Sequence, residues 1–431
     1  MKRPINMIWA GIWVVAWQPL LAQESQVVLQ DVAQAVSLAW KQNPELEVYQ
    51  LQHQKAEAEK RSAQGAYLPQ VSATANGQYN MDLATTPFPS ELGVLLGEPG
   101  QSVEVQFGQA YAYNAGINIT QNIVDWQALQ RTRISQAAIK TSEAQTAAYR
   151  QQLANQTALS YYTALIAQEA LEVNQKDLQV ARSILQLSEE KFRQGLINQL
   201  SLNQAKINVN NLKQSAASTQ ILLDQSINQL SLLCGQVNGE EIKLAGNSSL
   251  DDLTFQQVLN QDQNLRVLKQ QLVQTETQLS LQQSAYLPTL SFFSYFGQQQ
   301  FRDDLGLSFS GDAWTNYNYL GLSLSVPIFT GFSSKNQVKM AKLDREIAWV
   351  KLANETETSV AKDQLLTKNY QQSLLAARAA HDNFLLNEEN SELSNQQYKQ
   401  GLISLDAYFR AFDDYLKAEN TYLNALSTLY S

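Results

Sequence analysis

Two long stretches of this chain contain neither glycine nor proline, and they limit the possible folds more than any other feature of the sequence. The first runs from Ile117 to Gln194 and the second from Phe332 to Gln400. Glycine and proline mark most breaks in regular structure. Apolar residues recur through both stretches mostly at three- and four-residue steps, as they do in an amphipathic helix. Each stretch therefore predicts one very long helix.

The two predicted long helices cover about 126–193 and about 336–399. At a rise of about 1.5 Å per residue they would be roughly 100 and 95 Å long. Helices so much longer than an ordinary globular helix indicate a coiled coil or a helical tube. Shorter helices are predicted at about 199–234, 254–284 and 403–430.

A short corner of sequence Gln-Gly-Leu-Ile closes each long helix, with an aromatic residue three places before the glycine. The corner residues are Phe192, Gly195, Leu196 and Ile197 in the first copy, and Tyr398, Gly401, Leu402 and Ile403 in the second. A helix that turns back on itself needs a residue that accepts positive φ just past its end, which glycine supplies. A plain helix stop explains the glycine but not the apolar pair after it. Exposed apolar residues at such a corner indicate a contact surface.

Most of the glycine lies in two other windows, where the apolar period becomes two. Residues 65–116 and 297–331 hold 12 of the 18 glycines. Strands with one apolar and one small polar face are predicted there at about 70–82, 110–122, 288–299 and 315–327. Such strands match transmembrane β-strands, and equally the two-sided sheet of a soluble domain. In the last strand the phase changes between Tyr319 and Leu320, which predicts a bulge.

The same order of elements occurs twice, which predicts a duplicated unit. The segment AYLPQVS at 66–72 recurs as AYLPTLS at 285–291, each time where a helix ends and a strand begins. The two repeats are predicted to cover 23–245 and 246–431. Residues 1–22 have two positive charges, an apolar run and a small final residue, the layout of a secretory signal peptide. A membrane anchor is the weaker alternative, because the apolar run is too short to span a bilayer.

Composition argues against several classes of function. The net charge of −9 argues against nucleic-acid binding, which needs basic patches. The single cysteine, Cys234, rules out an intramolecular disulfide, so stability must come from packing or assembly. After the predicted signal peptide, no segment has the roughly 18 apolar residues of a membrane helix. A membrane-inserted form would therefore have to be a β-barrel.

No group of side chains in the sequence indicates an active site. His53 and His381 lie in predicted helices without clustered ligand partners, which favours solvated residues over metal ligands. The chain has no glycine-rich phosphate loop. The acidic pairs at 388–389 and 413–414 are neighbours in sequence and so point to different parts of a helix surface, as solvated charges. We therefore expect no enzyme activity, no cofactor and no metal.

In the order and spacing of these motifs the chain resembles the TolC family of outer-membrane efflux proteins. The resemblance covers essentially the whole chain after the signal peptide. It is carried by NPEL at 43–46, the two AYLP junctions, LSLSVPIFTG at 322–331, the two corners and the duplication itself. Each motif alone is weak, whereas their order and spacing together are specific.

The resemblance implies an α+β fold of mostly long α-helices, in which a duplicated chain forms a homotrimer. Each chain would give four strands to a 12-stranded transmembrane β-barrel, and its long helices to an α-helical barrel. The sheet must also close into a barrel for a physical reason, because the two bare edges of a four-stranded sheet cannot be left in lipid. Two copies would give about 8 strands, with an interior filled by side chains, and three would leave a lumen. The resemblance, and not the sequence pattern, selects three.

The resemblance implies the function of a passive exit duct in the outer membrane of a Gram-negative bacterium. Such a duct takes substrates from an inner-membrane pump through a periplasmic adaptor protein, and the corners would be where the adaptor docks. The alternative is a non-conducting exported coiled-coil protein, either a structural spacer or an adaptor. An adaptor would be expected to carry one helical hairpin and a compact β-domain, rather than two hairpins and four lipid-compatible strands.

The aperture of the duct is expected near the corners, and here the chain departs from the pattern of the family. Relatives tend to carry acidic residues six and nine positions after the corner glycine. Those positions hold Ser201 and Gln204 after the first corner, and Ala407 and Arg410 after the second. Asp406 stands one place early, which on a helix rotates a side chain by about 100°. The candidate aperture residues are Asp406, Arg410, Ser201 and Gln204. We therefore expect that the ring of side chains at the aperture contains Arg410, is less negative than in relatives, or is formed by other residues. The alternative is that the alignment with the family is shifted by one residue.

Overall fold

The structure is a computed structural model that describes residues 27–88, 103–106, 108–236, 242–246 and 262–430. The predicted signal peptide and the first part of the helix predicted at 254–284 lie outside the described residues. The helices are α1 (Val32–Gln42), α2 (Pro44–Gly65), α3 (Trp126–Arg193), α4 (Gln199–Leu233), α5 (Gln263–Ser284), α6 (Ser333–Lys399) and α7 (Leu405–Tyr430). The strands are β1 (Val27–Leu29), β2 (Gln70–Tyr79), β3 (Thr85–Phe88), β4 (Val103–Gln106), β5 (Tyr111–Val124), β6 (Ile242–Leu244), β7 (Thr289–Arg302) and β8 (Thr315–Ser325).

The two long helices, α3 and α6, contain 68 and 67 residues. A carboxylate starts the first of them, because Asp125 Oδ1 accepts the N–H of Ala128 at 3.0 Å. α6 begins at Ser333, three residues before the predicted start near 336. Among the described residues, no helix combines the length and the apolar character needed to cross a bilayer.

The chain forms two compact units, and neither coincides with a predicted repeat. The corner unit comprises Met1–Asn43, Leu153–Phe255 and Tyr370–Ser431, and the strand unit comprises Pro44–Gln152 and Gln256–Asn369. The predicted repeats, 23–245 and 246–431, each supply residues to both units. The duplication stays a prediction from the sequence, and each compact unit contains parts of both predicted repeats.

The strand unit contains a four-stranded antiparallel sheet in the order β2-β5-β7-β8. These strands lie at the four predicted places, with shifted ends. β2 stops at Tyr79 rather than near residue 82, and β7 continues to Arg302 rather than ending near 299. Each outer strand, β2 and β8, pairs on one side only, so the sheet has two open edges within the described chain.

The predicted bulge between Tyr319 and Leu320 is wrong, because β7 and β8 pair without a register shift along the whole of β8. The irregularity lies instead in β5, between Asn122 and Val124. The apolar pattern of β8 changes phase because tyrosines occupy one face before this point and leucines occupy the other face after it. An aromatic residue on a polar face and a shift of register look the same in a hydrophobic pattern.

Cross-strand pairing gives the sheet one apolar and one polar face. The apolar face carries Val71, Ile117, Ile119, Leu320, Leu322 and Leu324, and the polar face carries Ser72, Thr74, Asn76, Asn114 and Asn118. On the polar face, side chains bond across the strands: Asn76 Nδ2 donates to Asn114 Oδ1 at 3.0 Å, and Asn118 Nδ2 donates to Thr74 Oγ1 at 3.1 Å. The leucines of β8 are exposed. An uncovered apolar face opposite a hydrogen-bonded polar face is the pattern of a strand between lipid and a lumen.

A second, two-stranded sheet lies within the segment that connects β2 to β5. β3 and β4 pair in antiparallel fashion from Thr85 with Gln106 to Phe88 with Val103. The sequence predicts no strands here, because four-residue strands are too short for alternation to be recognised. A proline in β3, Pro87, also argues against a strand unless it lies at an edge.

Four helices meet in the core of the corner unit. The core residues are Ala181 and Ile184 of α3, Ala205, Val209 and Leu212 of α4, Tyr398 of α6, and Leu405, Tyr408, Phe409, Phe412 and Tyr415 of α7. The largest share comes from the aromatic face of α7, whose rings follow one another at centroid distances below 6 Å. Because Tyr398 and Leu405 flank the second corner, this core holds the ends of α6 and α7 together.

The corner unit also contains a parallel pair of short strands, β1 with β6. In the same unit α4 ends in a third glycine corner, where Gly235 has φ 70°. The N–H of Gly235 donates to the carbonyl of Leu232 at 3.1 Å, and that of Gln236 donates to the carbonyl of Ser231 at 2.9 Å. A Cβ at Gly235 would collide with the carbonyl oxygen of Gln42. This third corner is thus packed against backbone, unlike the two corners that close the long helices.

Candidate functional site

The first corner ends α3 in a defined backbone motif. Gly195 has φ 72°, and its N–H donates to the carbonyl of Phe192 at 2.9 Å. The N–H of Leu196 donates to the carbonyl of Lys191 at 2.8 Å. These two bonds form the Schellman motif, which satisfies carbonyls that the helix end would otherwise leave unpaired.

The second corner repeats the motif at the end of α6. Gly401 has φ 79°, and its N–H donates to the carbonyl of Tyr398 at 3.1 Å. The N–H of Leu402 donates to the carbonyl of Gln397 at 2.9 Å. Both corner glycines therefore have the positive φ predicted for them, and both corners have the same backbone.

A side-chain cap starts the helix that follows each corner. Asn198 Oδ1 accepts the N–H of Ser201 at 2.9 Å at the start of α4. Ser404 Oγ accepts the N–H of Ala407 at 3.2 Å at the start of α7. Asparagine and serine are preferred N-cap residues, so this signal was present in the sequence. Each turn between helices is fixed on both sides by local hydrogen bonds.

The leucine after each corner glycine is exposed. Leu196 is 67 % and Leu402 is 70 % accessible, while Ile197 and Ile403 are half-buried. In a Schellman motif the residue at this position often packs on an apolar side chain of the last helical turn. Here the residue it would meet is Lys191 in one corner and Gln397 in the other. Each leucine consequently remains available for contact with another surface.

The two aromatic residues before the corner glycines are not equivalent, although their sequence positions match. Phe192 is 36 % accessible, whereas Tyr398 is only 2 % accessible and belongs to the core of the corner unit. The ring of Tyr398 stacks on that of Tyr408 at a centroid distance of 5.9 Å. Its hydroxyl lies 3.4 Å from Ser188 Oγ. Tyr398 therefore supports the second corner from within, and Phe192 contributes to the surface of the first.

Lys191 joins the two corners directly. Its Nζ donates to the carbonyl oxygen of Tyr398 at 3.1 Å and lies 3.9 Å from the centroid of the Tyr398 ring. A lysine ammonium at this distance from an aromatic face gains a cation–π interaction. The end of α3 is thereby tied to the end of α6, a contact between residues 207 positions apart. The sequence pattern gave no reason to single out this lysine.

A groove of about 470 Å³ lies between the two corners. Its lining residues are Lys191, Leu196, Ile197, Asn198, Ser201, Tyr398, Gly401, Ile403, Ser404, Leu405 and Asp406. Residues of both corners contribute, including the exposed Leu196. The groove combines apolar walls with one lysine and one aspartate.

The structure separates the four candidate aperture residues into two groups. Ser201 and Asp406 line the groove between the corners. Gln204 and Arg410 are exposed on α4 and α7 and do not line it. Asp406 is thus one of the two charged residues that line the groove, while Arg410 is exposed outside it.

A buried pair of carboxylic acids in the corner unit is missing from the sequence predictions. Asp177 of α3 and Glu419 of α7 are both buried, and each carboxyl group affects the pKa of the other. The Tyr415 hydroxyl donates to Asp177 Oδ1 at 3.3 Å. Burial raises the pKa of the Asp177 carboxyl to about 6 and that of the Glu419 carboxyl to about 8. The negative charge of Glu388 on α6 contributes to both increases.

One feature of the sequence could have indicated Glu419. The buried side chains of α7 follow steps of four and three residues through Tyr408, Phe412, Tyr415 and Glu419. A carboxylate in such a row replaces an apolar side chain and must find a partner or a proton. The exposed acidic pairs at 388–389 and 413–414, in contrast, are solvated as the sequence predicted.

The histidines show no metal site. His53 Nδ1 lies 3.0 Å from Ser142 Oγ and its Nε2 lies 3.7 Å from Glu57 Oε1, while the His381 ring contacts that of Tyr422 at 5.0 Å. In the part of the chain that the structure describes, no three histidine, cysteine or acidic side chains are grouped as metal ligands would be.

Comparison with known proteins finds relatives that are all outer membrane proteins. The sequence model of the family described as "Outer membrane efflux protein" matches residues 35–236. The chain is 22 % identical over 381 residues to the outer membrane protein TolC of Vibrio cholerae, covering 83 % of this chain and 80 % of that protein. It is 23 % identical over 341 residues to TolC of Escherichia coli, covering 74 % of this chain and spanning 64 % of that protein's length.

Solved structures share the fold. The CmeC outer membrane channel of Campylobacter jejuni superposes with a TM-score of 0.68 at 18 % identity, covering 99 % of this chain and 91 % of CmeC. The outer membrane protein VceC of Vibrio cholerae superposes with a TM-score of 0.70 at 17 % identity, covering 93 % of this chain and 91 % of VceC. The fold of this chain is thus shared with outer-membrane channels of known structure. The resemblance of this chain to the outer membrane efflux proteins, TolC among them, is thereby confirmed, and the chain has the fold of outer-membrane channels.

Proposed function

We propose that three copies of this chain form one channel, which docks by its corners to a periplasmic adaptor protein and through it serves an inner-membrane pump. The channel is a passive exit duct, and the pump supplies the energy. The observation that carries the docking proposal is the groove between the two corners. Leu196, which lines this groove, and Leu402, which does not, are both exposed.

Assembly of several chains follows from the two open edges of the sheet. β2 and β8 each leave a row of backbone N–H and C=O groups without partners in the sheet, and such groups cannot be left in lipid. Pairing β8 of one copy with β2 of the next closes the sheet into a barrel. A ring of identical protomers meets this need with one repeated contact.

The number three is supported by the side chains of the polar face and by the family. A barrel of about 8 strands has an interior that side chains fill. The polar face of each sheet already carries the bulky rings of Phe293, Tyr295, Tyr317 and Tyr319, so two copies would leave no passage. Three copies give 12 strands and a lumen. TolC-type channels, to which this chain is similar, support the same number.

Docking at the corners is supported by their exposed apolar surface. Two large apolar side chains that are mostly exposed are unfavourable in water and indicate a surface that another protein covers. The groove supplies a place for an apolar residue between the corners, and Lys191 and Asp406 supply polar contacts at its walls. With two corners per chain, a trimer presents six, which suits an adaptor ring of helical hairpins.

The test replaces both exposed corner leucines, by Leu196→Ser together with Leu402→Ser. Neither side chain is buried, so assembly and membrane insertion should be preserved while docking is lost. Dye efflux is measured in cells whose outer-membrane level of the variant equals that of the wild type. Leu200→Ser is the matched control, because Leu200 is also exposed near the first corner but does not directly follow a corner glycine.

We expect efflux to fall to the level of cells without the channel in the double variant, and to persist in the control. Full efflux in the double variant would show that the corners are only turns. A non-conducting spacer or adaptor is the second candidate. Reconstitution in planar bilayers distinguishes it, since a spacer gives no single-channel currents whereas the duct gives currents that persist in the double variant.

A further inference from the structure

The polar face of the sheet in the strand unit carries a group of aromatic rings, here called the aromatic patch, formed by Phe293, Tyr295, Tyr317 and Tyr319. Tyr295 pairs directly with Tyr319 across β7 and β8, and their rings stack at 5.6 Å with an interplanar angle of 18°. Tyr317 lies 5.8 Å from Tyr295 and 5.4 Å from Tyr319. Phe293 lies 6.1 Å from Tyr319. The four rings form one continuous surface.

The patch is on the polar face by register. Phe293 pairs with Thr120 and Tyr295 pairs with Asn118, and both partners belong to the polar face. Aromatic residues facing lipid would instead share the face of the β8 leucines, as Tyr79 and Tyr111 share the face of Val71. The patch therefore differs from an aromatic belt at a membrane interface.

Glycines beneath the rings let them lie close against the sheet. A Cβ at Gly116 would lie 2.6 Å from Tyr295 Cζ, and one at Gly297 would lie 2.7 Å from Tyr295 Cε1. A Cβ at Gly321 would lie 2.6 Å from Phe293 Cζ. The rings thus occupy the space that three side chains would fill. They present an aromatic surface without projecting far from the sheet.

The patch remains accessible after the rings have packed on one another. Tyr317 is 46 % and Tyr319 is 43 % accessible, while Tyr295 is buried beneath them. The amides of the other half of the polar face bond to their own neighbours, Asn76 to Asn114 and Asn118 to Thr74. Those amides have part of their hydrogen-bonding capacity already used, so the tyrosine faces are the part of this surface best suited to a solute.

No unpaired charge on the strands that carry the patch opposes a cation. In the described strands β2, β5, β7 and β8, the only charged side chain is Arg302, whose Nη2 is paired with Asp304 Oδ2 at 2.8 Å. Aromatic faces are negative and attract cations, and flat aromatic molecules stack on them. A planar aromatic cation gains both interactions here, and no unpaired positive side chain of these strands opposes it.

We propose that the aromatic patch is a binding site for planar aromatic cations on the lumenal wall of the channel, one site per chain. Its lumenal position rests on the proposed barrel. The duct would then be more than an inert pore, because solutes of this class would be held transiently at the wall on their way out. Solutes that are polar and lack a flat aromatic face would pass without stopping there.

The test titrates ethidium, a planar aromatic cation, onto the purified channel in lipid nanodiscs and follows fluorescence anisotropy. Empty nanodiscs correct for dye in the lipid. In Tyr317→Ser with Tyr319→Ser, the Kd should rise roughly tenfold, as loss of two stacking rings predicts. In Tyr317→Phe with Tyr319→Phe it should stay within about twofold, because the ring faces are kept. Phenanthridine, a neutral planar analogue, should bind more weakly than ethidium to the wild type.

A matched control replaces the tyrosine pair of the opposite face, by Tyr79→Ser with Tyr111→Ser. These rings are also cross-strand neighbours, 4.8 Å apart, and their loss should leave the ethidium Kd unchanged. An equal loss of affinity in patch and control variants, or no loss in either, overturns the proposal. If the double serine variant does not assemble, Tyr317→Ser alone keeps the test decisive, since Tyr317 is the more exposed of the pair.

Native mass measurement of the same samples separates this inference from the proposed function. A protein that is not a trimer would refute the proposed barrel, whatever the dye does. A trimer that conducts, yet binds ethidium with the same Kd in all variants, would refute the aromatic site alone.

Discussion

Lys191 Nζ donates a hydrogen bond to the carbonyl oxygen of Tyr398 at 3.1 Å and at the same time lies 3.9 Å from the centre of the Tyr398 ring. The same carbonyl accepts the N–H of Gly401, which closes the second corner. One ammonium group of the first long helix thus supports the last turn of the second. Lys191 therefore joins the two corners and holds Tyr398 in place in the wall of the groove between them.

Replacing the lysine should loosen the second corner. Lys191→Met keeps an unbranched stem but removes the hydrogen bond and the cation–π contact, at a cost on the order of 1–2 kcal/mol. Hydrogen exchange at the amides of Gly401 and Leu402 should become faster. Lys206→Met, at an exposed lysine of α4, is the control and should leave those amides protected. Unchanged exchange in Lys191→Met would mean that the contact contributes nothing.

The three glycine corners allow conformational and steric costs to be measured separately. Gly195, Gly401 and Gly235 all have positive φ, but a Cβ at the first two would have open space, whereas one at Gly235 would collide with backbone at Gln42. Gly195→Ala and Gly401→Ala should each lower the free energy of unfolding by about 1 kcal/mol, and valine should cost more.

Gly235→Ala should cost more than either of these alanine variants, because the collision adds to the strain of positive φ. Gly65→Ala, at a glycine with open space and no positive φ, should be neutral or slightly stabilising. Urea unfolding of the purified protein provides the comparison. Equal losses at Gly195 and Gly235 would contradict the packing at the third corner.

Selectivity at the aperture should depend on Arg410 rather than on Asp406. Asp406 lines the groove between the corners, while Arg410 lies about one turn further along α7 and is exposed. We expect single-channel preference for cations to change in Arg410→Ala and to stay the same in Asp406→Ala. The reverse result would show that the family's acidic ring is preserved here with a one-residue shift. Because Ser201 and Gln204 are neutral, we expect the first corner to contribute little to the ion selectivity of the aperture.

The long helices and their corners were predictable because the signals are local. A long stretch without glycine or proline, followed by one glycine, determines a helix and its end from neighbouring residues alone. The same holds for the N-caps at Asn198 and Ser404. The different burial of Phe192 and Tyr398 could not be predicted, because it depends on how α6 and α7 pack and not on the matching corner sequences.

The four strands of the larger sheet were predictable in place but not in register, whereas the short strands β1, β3, β4 and β6 were not predicted. Alternation identified four strands, while the bulge predicted at Tyr319 was wrong because a tyrosine on the polar face looks like a slipped register. The glycines that make room for those rings, such as Gly297 and Gly321, signal a close approach only once the facing residues are known. Long-range contacts such as Lys191 with Tyr398 leave no periodic trace in the sequence.

The buried pair of Asp177 and Glu419 predicts how stability depends on pH. Burial raises both folded-state pKa values above those of the unfolded chain, so the folded protein binds more protons than the unfolded one between about pH 4 and pH 8. Stability from this pair is therefore greatest at low pH and falls as the pH rises through about 8, where the folded pair must carry two charges. The groups that face it are Tyr415 on α7, Glu388 on α6 and Lys176 on α3.

Glu419→Gln keeps a hydrogen-bonding side chain of the same size and removes the charge that burial opposes. We expect it to raise the apparent melting temperature at pH 8.5, with a gain on the order of 2 kcal/mol, and to have little effect at pH 5, where Glu419 is already protonated. Glu388→Gln, at an exposed acid of the same cluster, should give a much smaller gain at pH 8.5. Melting curves of both variants and the wild type at the two pH values provide the measurement. A gain of equal size at both pH values would mean that Glu419 is not protonated in the folded protein at pH 5, and would contradict the raised pKa.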